Sequence, residues 1–358
     1  MAQSRRGCGC ALVAALALLL VGGYFGYRFV VKPYLERRQA EAPPPASGDE
    51  TKVVVLDVGQ GDSILVVTPG GKTALVDAGE PGDGKIVLAA LKKYGVDHID
   101  LLVATHAHAD HIGAADEVIK AINVGEVWYS GVPNTTKNYE DFLKAIAEKK
   151  VDLIRAEPGQ QFTLGGGAVM RVLAPIPPFF TKDELRSGGN EPNANSVVTR
   201  LDYGEFSMLL TGDAEAQTEE RMMRSGARVN ATVLKVGHHG SKYASSEDFL
   251  RAARFKDAVI SCGADNRYGH PSQEALDRFK AQGIKIYRTD LQGEITIKTR
   301  GKEDYQITTE REAAADAIAT GRKAQKDDSA KSGFIQYGDF GPAPKASASP
   351  KAKAANSR

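Results

Sequence analysis

Four side chains of the kinds that bind divalent metals lie close together at residues 106–111, which read HAHADH. The apolar residues before them predict a strand, so the cluster follows directly on a strand end. Because side chains alternate along an extended chain, His106, His108 and Asp110 would share one side. Imidazole and carboxylate groups suit zinc and similar ions. The segment therefore predicts a metal site with room for two adjacent ions. His106 and His108 would hold one ion. Asp110 and His111 would hold the other.

Further Asp, His and Ser side chains stand beside turns at the ends of other predicted strands. They are Asp57, Asp62, Asp77, Asp213, His238, His239, Ser241 and His270. On the residues alone, Asp213 could also cap the helix that we predict to follow it. His270 and Ser241 could bind a phosphate at their turns, or they could simply be turn residues.

Strands and helices alternate along residues 51–300 and must position these side chains. Strands are predicted over 53–56, 63–68, 73–76, 101–104, 126–130, 152–156, 169–173, 196–202, 206–210, 232–236, 258–262, 285–287 and 294–298. Helices are predicted over 85–94, 114–121, 139–149, 216–224, 247–253 and 273–282. This mixture predicts sheets covered by helices, which is an α/β layered fold.

The composition of the 358 residues excludes several classes of protein. Apolar residues make up 42% and charged residues 25%, which allows a core of ordinary size, and the net charge of +1 creates no field that would attract nucleic acid to the whole chain. Three cysteines imply no disulfide framework. The sequence lacks the Gly-x-Ser-x-Gly turn and the glycine-lysine phosphate loop, so serine hydrolase and nucleotide triphosphatase mechanisms have no support.

The two ends of the chain differ in composition from its centre. Residues 1–32 include 21 consecutive uncharged residues, about the length that spans a bilayer, and predict a membrane anchor. A cleaved signal peptide is the rival interpretation, and the charges on either side leave the orientation open. Residues 33–50 are predicted as a Pro-rich linker, 51–300 as the globular domain and 301–358 as a mostly disordered basic, Ala-rich tail.

The motifs resemble those of a known family. The HxHxDH pattern after a strand is the signature of the metallo-β-lactamase superfamily. Residues 210–213 match the strand-end aspartate of the superfamily. Three more stretches resemble the soluble domain of ComEC-type competence proteins, namely 57–62 with 75–79, 238–241 and 268–271. The resemblance covers residues 52–300. It implies a four-layer αββα sandwich, with one or two zinc or manganese ions at the edge that the two sheets share.

The resemblance also implies roles for single residues. Asp213 resembles the carboxylate that bridges the two metals. One of His238 and His239 should complete the second metal site, and the local turn decides which. Asp77 resembles a buried aspartate that orients the metal loop. For Asp57 and Asp62 the choice between a similar role and shaping the glycine turn stays open.

One departure from the family pattern concerns the first metal. The superfamily usually supplies a third histidine between the cluster and the bridging aspartate, and this chain has none between His111 and His238. The stretch 193–196 occupies that region, where Asn195 could offer an amide oxygen. We therefore expect the first ion to be held weakly, or to be manganese rather than zinc.

The resemblance implies a metal-dependent phosphodiesterase or nuclease that acts on DNA. The predicted anchor would hold this hydrolase at the membrane, and we expect the hydrolase domain outside the cytoplasm, although the flanking charges leave the orientation open. Asp110 and Asp213 would be catalytic through the metals, and His270 could donate a proton to a leaving group. Two alternatives remain at this point. One is a hydrolase of small esters such as choline phosphate esters, and the other is a non-catalytic DNA-binding or assembly module with a structural metal.

Overall fold

Two β-sheets pack face to face in the computed structural model, which describes residues 49–185 and 190–323. Within these ranges the first sheet has the order β15 (Tyr305–Thr309), β14 (Ile295–Thr299), β1 (Thr51–Val55), β2 (Ile64–Val67), β3 (Thr73–Val76), β4 (His98–Ala104), β5 (Asn123–Tyr129) and β6 (Asp152–Arg155). The second has the order β13 (Lys285–Arg288), β12 (Asp257–Ile260), β11 (Val233–Lys235), β10 (Phe206–Leu210), β9 (Val198–Tyr203), β8 (Ala168–Ala174) and β7 (Gln161–Gly165).

Helices cover the outer faces of both sheets. The helices of the described residues are α1 (Gly84–Lys93), α2 (Ala109–Ile112), α3 (Ala115–Ala121), α4 (Lys137–Lys149), α5 (Glu191–Ala194), α6 (Ala216–Arg224), α7 (Glu247–Ala253), α8 (Gln273–Ala281), α9 (Thr289–Gln292) and α10 (Ala315–Ile318). Short 3₁₀ turns span Lys182–Glu184 and Gly237–Gly240.

Alternation along the strands builds three apolar layers. In β1, Val53 and Val55 face the space between the sheets, whereas Val54 faces the helices outside. A second outer cluster packs α6, α7 and α8 on the other sheet. The four-layer αββα arrangement that the resemblance implies is thereby confirmed.

The mixed strand directions gather several strand ends at one edge. β3, β4, β5 and β6 run parallel in the first sheet, and β10, β11, β12 and β13 run parallel in the second. The carboxyl ends of parallel strands are where open α/β sheets place their ligands. The candidate metal ligands all come after such ends.

The folded chain continues past residue 300, where we predict the start of a disordered tail. β15 pairs with β14 in antiparallel register, and the Tyr305 hydroxyl donates a hydrogen bond to Asp257 of the other sheet. The five residues of β15 alternate between half-buried and exposed positions, so their weak pattern is hidden among the polar residues around them. Residues 324–358 lie outside the described residues.

The sequence-based assignment of a transmembrane helix and signal anchor needs a correction. Across residues 49–185 and 190–323, the structure contains no helix with the length and hydropathy needed to cross a membrane. The predicted anchor, residues 1–32, lies outside the described part of the chain, as does almost all of the predicted linker.

Candidate metal centre

The candidate ligands come from loops of both sheets. His106, His108, Asp110 and His111 follow β4, Asp213 follows β10, and His239 follows β11. α2 begins immediately after His108, whose extended backbone serves as its N-cap position. The change from extended chain to helix inside six residues explains why the side chains converge instead of spreading along a strand.

A glycine lets the loop after β1 approach the metal loop closely. The backbone N–H of Asp62 donates to the carbonyl of Asp110 at 3.1 Å. A Cβ atom on Gly61 would lie 2.5 Å from that same carbonyl oxygen, a distance that side chains do not tolerate. The glycine-rich stretch 57–62 therefore supports the metal loop through its backbone.

Two groups of ligand atoms form around Asp213. The first contains His106, His108 and Asp213, and the second contains Asp110, His111, Asp213 and His239, with the ligand atoms of each group within 4.8 Å of one another. His111 Nε2 lies 3.1 Å from Asp213 Oδ1, and His239 Nε2 lies 3.3 Å from Asp110 Oδ2. His106 Nε2 lies 3.0 Å from His108 Nδ1 and 3.8 Å from Asp213 Oδ2.

Hydrogen bonds on the far side of three rings fix which nitrogen faces the centre. His111 Nδ1 donates to Asp77 Oδ2 at 2.7 Å, and His239 Nδ1 donates to the Ser261 carbonyl at 3.0 Å. His106 Nδ1 lies 3.1 Å from the Thr105 hydroxyl. Each ring therefore presents its Nε2 atom inward, as metal-ligating imidazoles do when an outer partner holds the other nitrogen.

The donor set fits a divalent cation. His111 Nε2, His239 Nε2 and Asp213 Oδ1 are buried and have no hydrogen-bond partner among the described residues. Buried polar atoms are normally paired, and three unpaired ones around a single point indicate a cation that would satisfy them. Imidazole nitrogens with carboxylate oxygens are the ligands that such ions accept.

The carboxylates and imidazoles of the group perturb one another's pKa values. Burial on its own would raise the pKa of Asp213 and of Asp110, but the neighbouring histidines, His111 first, hold the pKa of each well below its usual range. Burial, together with the charges of His111 and His108, holds the pKa of His106 well below its usual range. Burial on its own would lower the pKa of His111, but the charges of Asp213, Asp77 and Asp110 hold it well above its usual range. Ionised carboxylates and neutral imidazoles are the forms that bind metals, so a cation in the second ligand group would have to displace the proton of His111.

Of the two adjacent histidines, His239 points into the second ligand group. His238 Nδ1 lies 3.0 Å from Glu215 Oε1, and the His238 side chain is 22% exposed at the mouth of the site. Its Nε2 is 3.8 Å from Asp213 Oδ2. His238 therefore faces the space above the ligands.

The backbone of this turn is left-handed at both histidines. His238 has φ 46° and ψ 47°, and His239 has φ 52° and ψ 25°. Residues with a Cβ rarely adopt this region, and such strain is typical of functional sites. Ser241 closes the turn through its backbone N–H, which donates to the His238 carbonyl at 2.8 Å, and it does not line the pocket.

Asp77 lies beneath the ligand cluster. Its carboxylate accepts hydrogen bonds from the backbone N–H and the hydroxyl of Thr105, at 2.8 and 2.7 Å, as well as from His111. Burial raises the pKa of Asp77, and the His111 charge opposes that rise. Asp77 thus links the ends of β3 and β4 beneath the ligands.

The other two N-terminal aspartates differ from each other. Asp62 is buried, accepts a hydrogen bond from the Lys235 ammonium at 2.7 Å and lies 3.6 Å from His239 Nδ1. Asp57 is 30% exposed and pairs with Arg311 at 3.1 Å. Asp62 therefore supports the centre, and Asp57 holds the segment that follows β15.

The Asn195 side chain forms hydrogen bonds with backbone groups outside the ligand groups. Its amide oxygen accepts from the Phe180 N–H at 2.9 Å, and its amide nitrogen donates to the carbonyls of Phe180 and Glu191. Its neighbour Asn193 lines the metal pocket instead, 3.3 Å from His238 Nε2, and its buried amide oxygen has no hydrogen-bond partner among the described residues. The amide that faces the site is therefore that of Asn193.

The ligands form the floor of an open pocket of about 390 Å³. Arg267 and Tyr268 line the pocket and are both exposed. His270 stands between them and the ligands, with ring centroids 5.3 Å from His238 and 5.8 Å from Tyr268. Burial, with His238 and His239 nearby, lowers the pKa of His270 to about 3. At neutral pH the His270 imidazole is therefore uncharged. It lacks the additional proton that an imidazolium would donate to a leaving group.

Comparison with known proteins identifies the family. A family model described as the metallo-beta-lactamase superfamily matches residues 56–264, which is more than half of the chain. The chain belongs to the metallo-β-lactamase superfamily.

Curated relatives include competence proteins. The chain is 32% identical to ComE operon protein 3 of Bacillus subtilis over 277 residues, which cover 72% of this chain and 34% of that protein. It is 30% identical to competence protein ComA of Neisseria gonorrhoeae over 284 residues, which cover 77% of this chain and 34% of that protein. The chain spans about a third of the length of these relatives. The predicted resemblance to competence proteins is confirmed.

Among solved structures, CmlA, a diiron β-hydroxylase from Streptomyces venezuelae, is similar to this chain with a TM-score of 0.47 and 16% identity. The similarity covers 70% of this chain and 54% of that chain.

Two supporting residues of this metallo-β-lactamase domain are absent from the sequence-based predictions. Glu215, which holds His238, lies within the residues before α6, where we predict only a helix start. Lys235 lies fully buried at the end of β11 and pairs with Asp62. A lysine inside the apolar run 233–236 was a usable signal, because a buried ammonium requires a buried partner.

Proposed function

We propose that this protein is a divalent-metal-dependent phosphodiesterase, with DNA as its substrate and zinc or manganese as its metal. The observation that carries the proposal is the pair of ligand groups that share Asp213 on the floor of an open pocket. The names of the relatives, which refer to competence, support DNA as the substrate.

The charges of the proposed centre favour an anionic substrate. Asp110 and Asp213 contribute two negative charges, against four positive charges if each ligand group holds one divalent ion. The surplus would attract a phosphodiester. When bound, such ions activate water and offset the negative charge of the transition state.

The residues around the centre would orient and bind. Asp77 holds the ring of His111, and the Ser261 carbonyl holds that of His239. His238 and Asn193 face the pocket above the ligands, where their N–H groups can donate hydrogen bonds to phosphoryl oxygens. Arg267 adds a positive charge at the rim.

The test is cleavage by the purified full chain. Plasmid DNA, single-stranded DNA and bis-p-nitrophenyl phosphate would be assayed with Mn²⁺ or Zn²⁺, for the wild type and for Asp110→Ala and Asp213→Ala. Loss of an outer partner alone costs roughly 10–100-fold, so each ligand variant should lose more than about 100-fold. Asp248→Ala, whose side chain is 84% exposed on α7, is the matched control and should keep full activity.

Other outcomes would lead to other functions. Metal-dependent cleavage of small esters without cleavage of DNA would support the small-ester hydrolase. Tight metal binding without cleavage of any of these substrates would rule out the phosphodiesterase and leave the non-catalytic module.

A further inference from the structure

The two ligand groups of the metal centre differ in the number of their imidazole and carboxylate donors. The second group has four such donors, whereas the first has three, namely His106, His108 and the shared Asp213. Zinc and similar ions usually take four ligands, of which water supplies one in many catalytic sites. The first group therefore leaves one position to another side chain or to water.

Helix α5 lies beside the first group. The side chain of Asn190, the N-cap residue of α5, places its amide nitrogen 3.4 Å from His108 Nε2. One turn later, the amide nitrogen of Asn193 lies 3.3 Å from His238 Nε2, which is itself 3.8 Å from Asp213 Oδ2. The Asn193 amide is thus held near the carboxylate oxygen that belongs to the first group.

The oxygen of this amide lacks a partner. Asn193 is 2% exposed although it lines the metal pocket, and its Oδ1 atom is buried without a hydrogen-bond partner among the described residues. The inward atoms of His111, His239 and Asp213 are in the same condition. Buried amide oxygens are normally paired. A cation in the first group would satisfy this oxygen as a cation in the second would satisfy the other three atoms.

The neighbouring asparagines do not offer an equivalent oxygen. The Asn190 oxygen accepts a hydrogen bond from the Asn193 backbone N–H at 3.2 Å, and the Asn195 oxygen accepts one from the Phe180 N–H at 2.9 Å. Both oxygens are therefore used within the protein. The unpaired oxygen of this stretch is that of Asn193.

We propose that Asn193 Oδ1 is the fourth ligand of the ion in the first group. That ion would then have two imidazole nitrogens and two oxygens, the same kinds of atom that the second group provides. Carbonyl and carboxylate oxygens suit Mn²⁺. Because the amide is neutral and Asp110 of the second group is charged, the ion of the first group is the more weakly bound. The inference rests on the metal centre of the proposed function, but it concerns binding of the ion and not the reaction.

The test is calorimetric titration of the metal-free full chain with Mn²⁺. The wild type should bind two ions with different Kd values. Asn193→Leu keeps the size of the side chain and removes its oxygen, so it should raise the Kd of the weaker ion at least about tenfold and leave the tighter ion unchanged. Asn193→Asp keeps an oxygen at the same position and should bind both ions.

The matched control is Asn123→Ala, whose side chain is exposed in β5 and whose loss should change neither Kd. Circular dichroism checks that every variant is folded. A chain that shows this binding pattern and cleaves no phosphodiester would support the ligand assignment and refute only the proposed activity.

Four results would overturn the proposal. The wild type could bind a single ion, or Asn193→Leu could bind both ions as tightly as the wild type. Asn193→Asp could lose the weaker ion as Asn193→Leu does, which would show that Asn193 only supports the fold of the loop. Loss of the weaker ion in His238→Ala but not in Asn193→Leu would assign the fourth ligand to the imidazole of His238.

Discussion

Asp213 links the two ligand groups through its two carboxylate oxygens. Oδ1 lies beside His111, and Oδ2 lies nearer His106. The residue follows β10, whose neighbour β11 is parallel and leads to His239. The paired strands β10 and β11 therefore fix the positions of Asp213 and His239 relative to each other.

Tyr268 is the residue that we expect to separate DNA from small substrates. Its side chain is 50% exposed, and its ring is stacked on His270 with an interplanar angle of 24°. The Arg267 guanidinium lies 5.1 Å from the ring centroid. A base that stacks on the exposed part of the ring gains about 1–3 kcal/mol. Tyr268→Leu should therefore raise the KM for single-stranded DNA about tenfold.

Two controls apply to this prediction: a substrate without a base, and a variant that keeps the aromatic ring. Cleavage of bis-p-nitrophenyl phosphate, which has no base to stack, should change less than twofold in Tyr268→Leu, and Tyr268→Phe should restore the KM for DNA. An unchanged KM for DNA in the leucine variant would contradict the prediction. Equal losses on both substrates would indicate that Tyr268 only supports His270.

The turn Gly237–Gly240 is the element where backbone conformation and function conflict most clearly. Because His238 is left-handed, an alanine there keeps the Cβ penalty and a glycine removes it. We expect His238→Gly to be more stable than His238→Ala by about 1 kcal/mol in urea unfolding with chelator present.

An ordinary helix supplies the control for this comparison. The Arg251 side chain in α7 is 62% exposed. There we expect the Arg251→Gly protein to have a free energy of unfolding about 1 kcal/mol lower than that of Arg251→Ala. If His238→Ala is also more stable than His238→Gly, residue 238 does not adopt the left-handed conformation in solution.

A cluster around Asp290 fastens the segment after β15 to the second sheet. Arg288 and Arg322 donate to Asp290 Oδ2 at 2.7 and 2.6 Å, and Arg288 also donates to the Thr320 carbonyl. Burial alone would raise the pKa of Asp290, but hydrogen bonds and charges from Arg288 and Arg322 lower it. A group with a lowered pKa stabilises the fold above its unfolded pKa, about 3.9, and loses that contribution as the pH falls further.

Asp290→Asn should therefore cost about 3 kcal/mol of unfolding free energy at pH 7, since it breaks a buried ion pair. The difference from the wild type should shrink as the pH falls below about 4. Denaturant unfolding at a series of pH values measures it. A difference that stays constant down to pH 3 would exclude the ionised pairs as its source.

Sequence patterns predicted strands and helices better than they predicted side-chain direction. The strands before the histidine cluster and before Asp213 lie where the apolar runs indicate. The choice between His238 and His239 depends on two left-handed residues. The four-residue helix α5 places Asn193 in the pocket lining in place of the predicted Asn195. Such short turns depend on tertiary contacts that no periodicity records.

At the scale of the whole molecule, the ligands belong to loops of both sheets, so a bound ion should stabilise the entire domain. A ligand at 100 times its Kd adds about 2.7 kcal/mol, which is roughly 5–10 °C in Tm for a domain of this size. Thermal unfolding with EDTA and with added Mn²⁺ or Zn²⁺ measures the shift. Asp213→Ala should show almost none, and a wild type that does not respond to metal would contradict the proposed centre.

The layered architecture could be predicted only in part from the amino-acid sequence. Alternating strands and helices indicate layers but not their number, and the αββα order came from the family resemblance. The boundary at residue 300 was wrong by at least one strand, because β15 is stabilised by its pairing with β14 and by its contact with Asp257. Neither interaction is visible in the composition of the tail.

The pairing of β1 with β14 has a consequence for biosynthesis. Val55 is the partner of Ile295, so the ribosome must add about 240 residues after β1 before its neighbour exists. During that interval one edge of β1 has no strand beside it and is open to pairing with other chains. The nascent domain is therefore most exposed to aggregation just before its last strands emerge, when the metal ligands of both sheets have already been made.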